Sequence, residues 1–392
     1  MNRIMKINGI VSLLVFIAVL SIIVAGCSLF EKPDTKIVYE TEYYSENIEG
    51  LLTAGYRSVT NASAGSTLAP VLWDGAEETL LSHNGYGGAV QACAYYNGVA
   101  YAAGYVLDLS GLHQVPALWI GGELAILPCD GADGSAEALF VDASGVYAAG
   151  WQTAETDPLS ELACYWTAGL ATGTEAVRHA LNSPEPNLEQ PHPQSRALAV
   201  SVIDGTVYTA GYYHEPRTDA HPTPCYWTGS DRTNILNYGF GNVTCIAVNA
   251  SGEPVFGGFW HFNDDRYRPC IWSGTDRTPL FPDSDAATED FDGAVCDLEY
   301  NGTELYAAGW YADTAESSVA RPAYWIDGSM EYLPHGSGSE TVTGIAFSGG
   351  RTFFCGRYSA GGYESACLWS DNIRYYFSEV FTESGANSVV NY

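Results

Sequence analysis

From about residue 49 onward the chain is a succession of short apolar or alternating runs broken by glycine-containing turns. Runs of that length, rich in Tyr, Val and Trp, fit strands better than helices, whose apolar periodicity extends over longer stretches. Ala92-Cys93-Ala94-Tyr95 is small and apolar, stops at Asn97-Gly98, and is followed at once by Val99-Ala100-Tyr101-Ala102-Ala103-Gly104. Pro116-Ala117-Leu118-Trp119 then turns at Gly121-Gly122 into Glu123-Leu124-Ala125-Ile126-Leu127. Asn-Gly and Gly-Gly pairs suit two-residue hairpins because both central residues take positive φ. The pattern predicts a unit of four antiparallel strands, a to d, with tight a–b and c–d turns.

The unit recurs. Strand b ends at Gly55, Gly104, Gly150, Gly211, Gly258, Gly309 and, degenerate, Gly356; strand c ends at Trp73, Trp119, Trp166, Trp227, Trp272, Trp325 and Trp369. The glycines are 49, 46, 61, 47, 51 and 47 residues apart. Periods of this size with four short strands each are the signature of β-propeller blades. The first repeat lacks a strand a, and the C-terminus offers one: Gly385–Val390 resembles Gly134–Phe140 of the third repeat. The expectation is an all-β chain: a single seven-bladed propeller over residues 49–392, its ring closed by the C-terminal strand. Closure removes the exposed sheet edges that invite aggregation. A length of 392 residues, which would otherwise suggest two or three domains, then belongs to one.

The repeat resembles that of a group of uncharacterised bacterial secreted and lipoprotein propellers with "vYvAGy…aYWkdG" units. The resemblance spans about residues 49–392 and implies architecture, with no catalytic residue or cofactor. A looser similarity to kelch blades, whose second strand also ends in glycines, fails at the offset of the tryptophan. The N-terminus reads as an export signal: Arg3 and Lys6, an apolar run from Ile10 to Ala25, then Gly26-Cys27. Val24-Ala25-Gly26-Cys27 resembles the lipobox of bacterial lipoproteins, which implies cleavage after residue 26 and acylation of Cys27. A plain spanning anchor fits less well, since the run is short and ends in small residues at a cysteine. Residues 27–48 read as a polar tether. Ser28 after the cysteine implies, by the same resemblance, outer-membrane sorting in a Gram-negative cell.

Composition narrows the partners. There are 46 Asp and Glu against 16 Lys and Arg, a net charge of −30, and no lysine beyond Lys36. Losing Arg3 and Lys6 with the signal makes the mature chain still more acidic. Such a polyanion is repelled by phosphate backbones, so no nucleic-acid partner is expected. The expected partners are a membrane, through the lipid anchor, and a glycan, a peptide or an envelope protein. Nine cysteines follow Cys27. Cys164, Cys225, Cys270 and Cys367 read as one strand-c position, and Cys93, Cys245 and Cys296 as one strand-a position. Equivalent sites on different blades lie too far apart to bridge, so cysteine reads as a small core filler. Cys355 and Cys367, on adjacent strands, are the one pair with the reach to bond.

The variable segments fall in the b–c and d–a connections, above all after Trp166 and Trp272, and rigid scaffolds build binding surfaces from such loops. That face is the expected working face. All eight histidines read as belonging to it: His113, His214, His221 and His261 in b–c loops, and His83, His179, His192 and His335 in d–a loops. None has the spacing of a zinc motif, so no metal or cofactor is assigned. The aromatic after each repeat glycine reads as packing. The next position varies, and blades 4 to 6 offer Tyr213-His214, Trp260-His261, and Tyr311 with Asp313 as candidates to stack a sugar and bind its hydroxyls. Asp283, Asp285, Glu289, Asp290 and Asp292 lack regular calcium-loop spacing and read as a solvated acidic loop. The reading is a binding or scaffolding propeller. The alternative, a polysaccharide hydrolase or lyase using His and carboxylates of the same face, lacks a recognisable catalytic motif.

Overall fold

A computed structural model describes Glu42–Tyr43 and residues 50–392, apart from 62–64, 173–174, 184–191, 215–220, 236–238, 262–265, 281–290, 314–318 and 378–382. The signal, Cys27, most of the tether and all but Asp292 of the acidic loop lie outside the described residues.

Seven four-stranded antiparallel blades form in sequence order. Blade 2 shows the plan, with a Gly88–Tyr96, b Val99–Leu107, c Gln114–Ile120 and d Glu123–Ile126. Asn97, Gly98, Gly121 and Gly122 all take positive φ at its two tight turns. Strands a of blades 3 to 7 begin at Gly134, Ser195, Phe240, Phe291 and Ser339. Blade 1 takes b Leu51–Asn61, c Gly65–Asp74 and d Glu77–Leu80 from the start of the ring and a Ser384–Asn391 from its end. The start and end of the ring therefore share one sheet, and the ring closes as the sequence predicts. Glu42–Tyr43 adds a short parallel strand to the outer edge of blade 7, against Tyr375 and Tyr376.

A β-bulge in every strand a explains the repeat glycine. The residue opposite the glycine is Ala386, Val90, Ala136, Ala197, Val243, Val295 or Val342. One unpaired residue follows it in each blade: Asn387, Gln91, Glu137, Leu198, Thr244, Cys296 and Thr343. A bulge bends its strand and tightens the twist. Here it carries the strand-a backbone over strand b: a Cβ on any of the seven glycines would collide with a strand-a carbonyl oxygen, such as Ala89 O at Gly104 or Ser135 O at Gly150. Glycine is needed for close approach rather than for a turn.

The seven tryptophans sit between blades and are at most 1% exposed. Among the described residues the apolar interior forms seven clusters, each with one repeat Trp and the apolar residue that follows strand d of the preceding blade. Leu81, Leu127, Leu181, Ile235, Leu280 and Leu333 fill that place in turn, and Phe377 stacks on Trp73 at 4.8 Å. Indole N–H groups also staple neighbours together. Trp119 donates to Ser82 O (2.9 Å), Trp166 to Pro128 O (2.7 Å), Trp227 to Asn182 O (3.0 Å) and Trp369 to Pro334 O (2.8 Å). A Trp→Ala change in such a site typically costs roughly 3–5 kcal/mol.

The cysteine register is partly corrected. Cys164, Cys225, Cys270 and Cys367 each face a repeat glycine from strand c, as expected. The strand-a trio does not share a site: Cys296 is a bulge residue, Cys245 follows a bulge, and Cys93 lies one further along. Cys355 pairs with Leu368 while Cys367 pairs with Gly356. Side chains alternate along strands, so the two thiols point to opposite faces, one into the cluster with Trp73 and the other into that with Trp369. No bond between them is possible, and the nine ring cysteines are free. The insertion after Trp166 also differs from expectation. It is shared between the c–d connection and the d–a loop of blade 3, which places His179 within strand d, Val177–Ala180.

Candidate functional site

The sequence-derived candidates lie mainly in the blades. Tyr213 and Trp260 are 3% and 6% exposed. The Arg232 guanidinium lies 3.7 Å from the centre of the Tyr213 ring, and Asn234 donates to its hydroxyl at 2.9 Å. Arg277 covers Trp260 at 3.4 Å. Tyr311 is half-buried, stacked with Phe291 and edge-on to Tyr332. Arg232, Asn234, Arg277 and Tyr332 all belong to strands d. The same strand-b position pairs Arg57 with Glu78 in blade 1 and Tyr358 with Arg374 in blade 7. In these five blades the variable position is thus a strut from strand b to the outer strand of its own blade, whereas Gln152 of blade 3 accepts from Asp130 N at 3.0 Å. Cation–π and blade contacts cover the rings of Tyr213 and Trp260, which the sequence offers as candidates to stack a sugar.

His214 and His261 close strands b of blades 4 and 5, and His221 begins the return into strand c of blade 4. The structure brings His221 and His261 together, with ring centres 5.5 Å apart and Phe240 against both. Tyr267 meets His261 edge-on at 5.7 Å. Burial lowers the His214 pKa, opposed by Glu161 and assisted by His221. His261 is 3% exposed. This is a packed aromatic knot at the blade 4–5 junction. Asp313 ends strand b of blade 6, its backbone paired with Phe291; its side chain lies outside the described residues. Among the described residues no group of three His, Cys, Asp or Glu is arranged to hold a metal.

One cavity with room for a ligand is central. About 590 Å³ is lined by strands a of all seven blades. Its lining starts at the bulge residues Gln91, Glu137, Leu198, Thr244, Cys296, Thr343 and Asn387 and runs along each strand toward the a–b turns. It therefore leads to the face of tight turns, opposite the long-loop face that the sequence favours. Bulge side chains also tie the ring. Asn387 donates to Val90 O at 2.6 Å, Thr244 to Val295 O at 2.6 Å and Thr343 to Ala386 O at 2.7 Å, each reaching the next blade. Sequence periodicity identifies strands a but gives no sign of the extra residue, whose only trace is its offset from the partner glycine.

Asp297 is the chemically distinctive group of this cavity. It follows the Cys296 bulge, and its carboxylate accepts N–H bonds from Leu298 and from Ile345 of the next blade, each 2.9 Å. Burial, reinforced by Glu299, raises its pKa to about 7 against those two bonds. Glu299, two residues on and so on the same side of the strand, is also raised, by burial. Glu137 accepts from Trp151 Nε1 at 3.0 Å. The neighbouring thiols are unreactive: burial, with Asp297 contributing, pushes Cys93 and Cys296 up to about 12.

Comparison with known proteins bears on the fold. The chain is similar to the β-propeller domain of the Trilobed protease from Pyrococcus furiosus, described as having an open velcro topology. The TM-score is 0.51 at 10% identity, over 88% of this chain and 97% of that one. Acylaminoacyl peptidase from Pyrococcus horikoshii matches with a TM-score of 0.49 at 11% identity, over 90% of this chain and 54% of the peptidase. This chain thus spans about half the peptidase's length. No protein-family model matches the chain, and no curated protein does.

Proposed function

We propose that this chain is a non-enzymatic binding propeller, held outside the cytoplasm on a bacterial membrane by acyl chains on Cys27, with its ligand site in the central cavity. The observation that carries the reading is the 590 Å³ cavity bounded by all seven blades, within the range of small-ligand pockets. A rigid ring with pre-formed walls binds without an ordering cost. The charged n-region, the apolar run and Gly26-Cys27 support the anchor. The ligand class is a glycan, a peptide or a segment of an envelope protein. Labelled palmitate fed to expressing cells tests the anchor: incorporation is expected in the wild type and absent in Cys27→Ser. Equal labelling of both, or of neither, contradicts it. Glycan and peptide arrays probed with the purified protein test the rest, and silence on both removes the binding role.

A further inference from the structure

We propose that the ligand of the central cavity carries a primary ammonium group, which docks between Asp297 and Glu299. The inference rests on the reading of the cavity as the binding site and adds the chemistry of what enters.

Three carboxylates, Glu137, Asp297 and Glu299, line the cavity, and no Lys, Arg or His does. Asp297 is partly exposed on the cavity wall, and two backbone N–H groups are the partners of its carboxylate. No cation among the described residues pairs with it. A carboxylate in such a setting is costly to ionise unless a counter-charge is supplied. The position of the group is informative. It lines the central cavity, and its carboxylate reaches across to the Ile345 N–H of the next blade at 2.9 Å. The Glu299 side chain, exposed on the cavity wall, has no hydrogen bond or ion pair among the described residues. Two carboxylates on one side of one strand suit the three N–H donors of an ammonium. A divalent cation would demand six or more oxygens.

Ala92, Leu139, Val200, Ile246 and Ile345 put aliphatic surface into an otherwise polar wall. It suits a linear methylene chain behind the charged head. The ligand class is an aliphatic primary amine, either a free diamine or polyamine or a lysine side chain of a peptide. The strongly negative ring attracts such cations over a distance. The charged group acting on Asp297 is Glu299 of its own strand, and with its pKa raised to about 7 Asp297 is the group whose ionisation governs binding near neutrality.

Calorimetric titration of the full chain in detergent at pH 8 tests this, with 1,5-diaminopentane, spermidine and a lysine-ended peptide as probes. 1,5-Pentanediol and the Nε-acetylated peptide are the neutral comparisons. One-site binding of at least one amine is expected, weakened tenfold or more by Asp297→Asn and several-fold by Glu299→Gln. The exposed strand-d variant Glu123→Gln, outside the cavity lining, should leave it unchanged. Affinity should fall as pH drops below 7, where Asp297 takes up its proton. The proposal is overturned if amines bind no better than their neutral comparisons, if Asp297→Asn binds as tightly as wild type, or if Glu123→Gln weakens binding equally. Ala92→Trp, checked by thermal melting for an intact fold, fills the cavity and tests the underlying reading separately. A neutral ligand lost in Ala92→Trp but kept in Asp297→Asn would leave the cavity as the site and remove only the ammonium.

Discussion

Gly150 shows how one residue type records a backbone event two strands wide. The sequence repeats it seven times without giving the reason, because the bulge that requires it adds a residue to a different strand. Gly150→Ala should therefore cost about 3 kcal/mol or more, since the new methyl collides with backbone that cannot retreat. Gly205→Ala, in open space at a φ of 75°, should cost only about 1 kcal/mol. Urea denaturation of both variants checks the contrast. Asp297 makes a prediction of opposite sign. Its pKa is raised to about 7 in the folded chain and is near 4 when unfolded, so between those values the folded state holds the extra proton. Stability should fall as pH climbs from about 4 to 7 and level off above. Asp297→Asn should flatten that slope and raise the urea midpoint at pH 8. An unchanged slope would mean that the carboxylate is not enclosed. Neither Asp297 nor Glu299 was legible as special in the sequence, where two acids among 46 carry no mark of depth.

Strands were the most legible elements, because tight turns with Asn-Gly and Gly-Gly fix register and a Trp closes every strand c. The closing strand Ser384–Asn391 was legible from its likeness to other strands a. Removing residues 384–392 should expose a whole edge of blade 1 and its cavity wall. The truncated chain is expected to melt at least 10 °C lower or to aggregate, as light scattering during a thermal ramp would show; an unchanged melt would contradict a closed ring. What escaped the pattern was side-chain direction. Cys355 and Cys367 are neighbours in strand order but face different blade interfaces, and Tyr213 and Trp260 lie under arginines of strand d that sequence separation gives no reason to expect. Alkylation follows from this: denatured protein should present nine reactive ring thiols, and native protein few. Reductant should leave the melting temperature unchanged, and a shift of several degrees would indicate a disulfide.

At the scale of the whole molecule, the acidic composition and the repeat led to the ring, and loop length led to its long-loop face. The ring itself offers a second candidate. Bulges at one level of seven strands open a polar, acidic cavity toward the short-turn side, and no stretch of sequence contains it, because each blade contributes only a few residues. The histidines that loop length drew attention to are instead partly spent on packing between blades 4 and 5. The central claim is that recognition occurs inside the ring. It is tested most directly by thermal-shift titration of wild type, Ala92→Trp and Tyr311→Ala with the same panel of amines, peptides and glycans. A ligand is expected that raises the melting temperature of wild type and Tyr311→Ala by several degrees and leaves Ala92→Trp unmoved. A ligand that stabilises Ala92→Trp as much as wild type, and fails with Tyr311→Ala, would move the site to the long-loop face and contradict it.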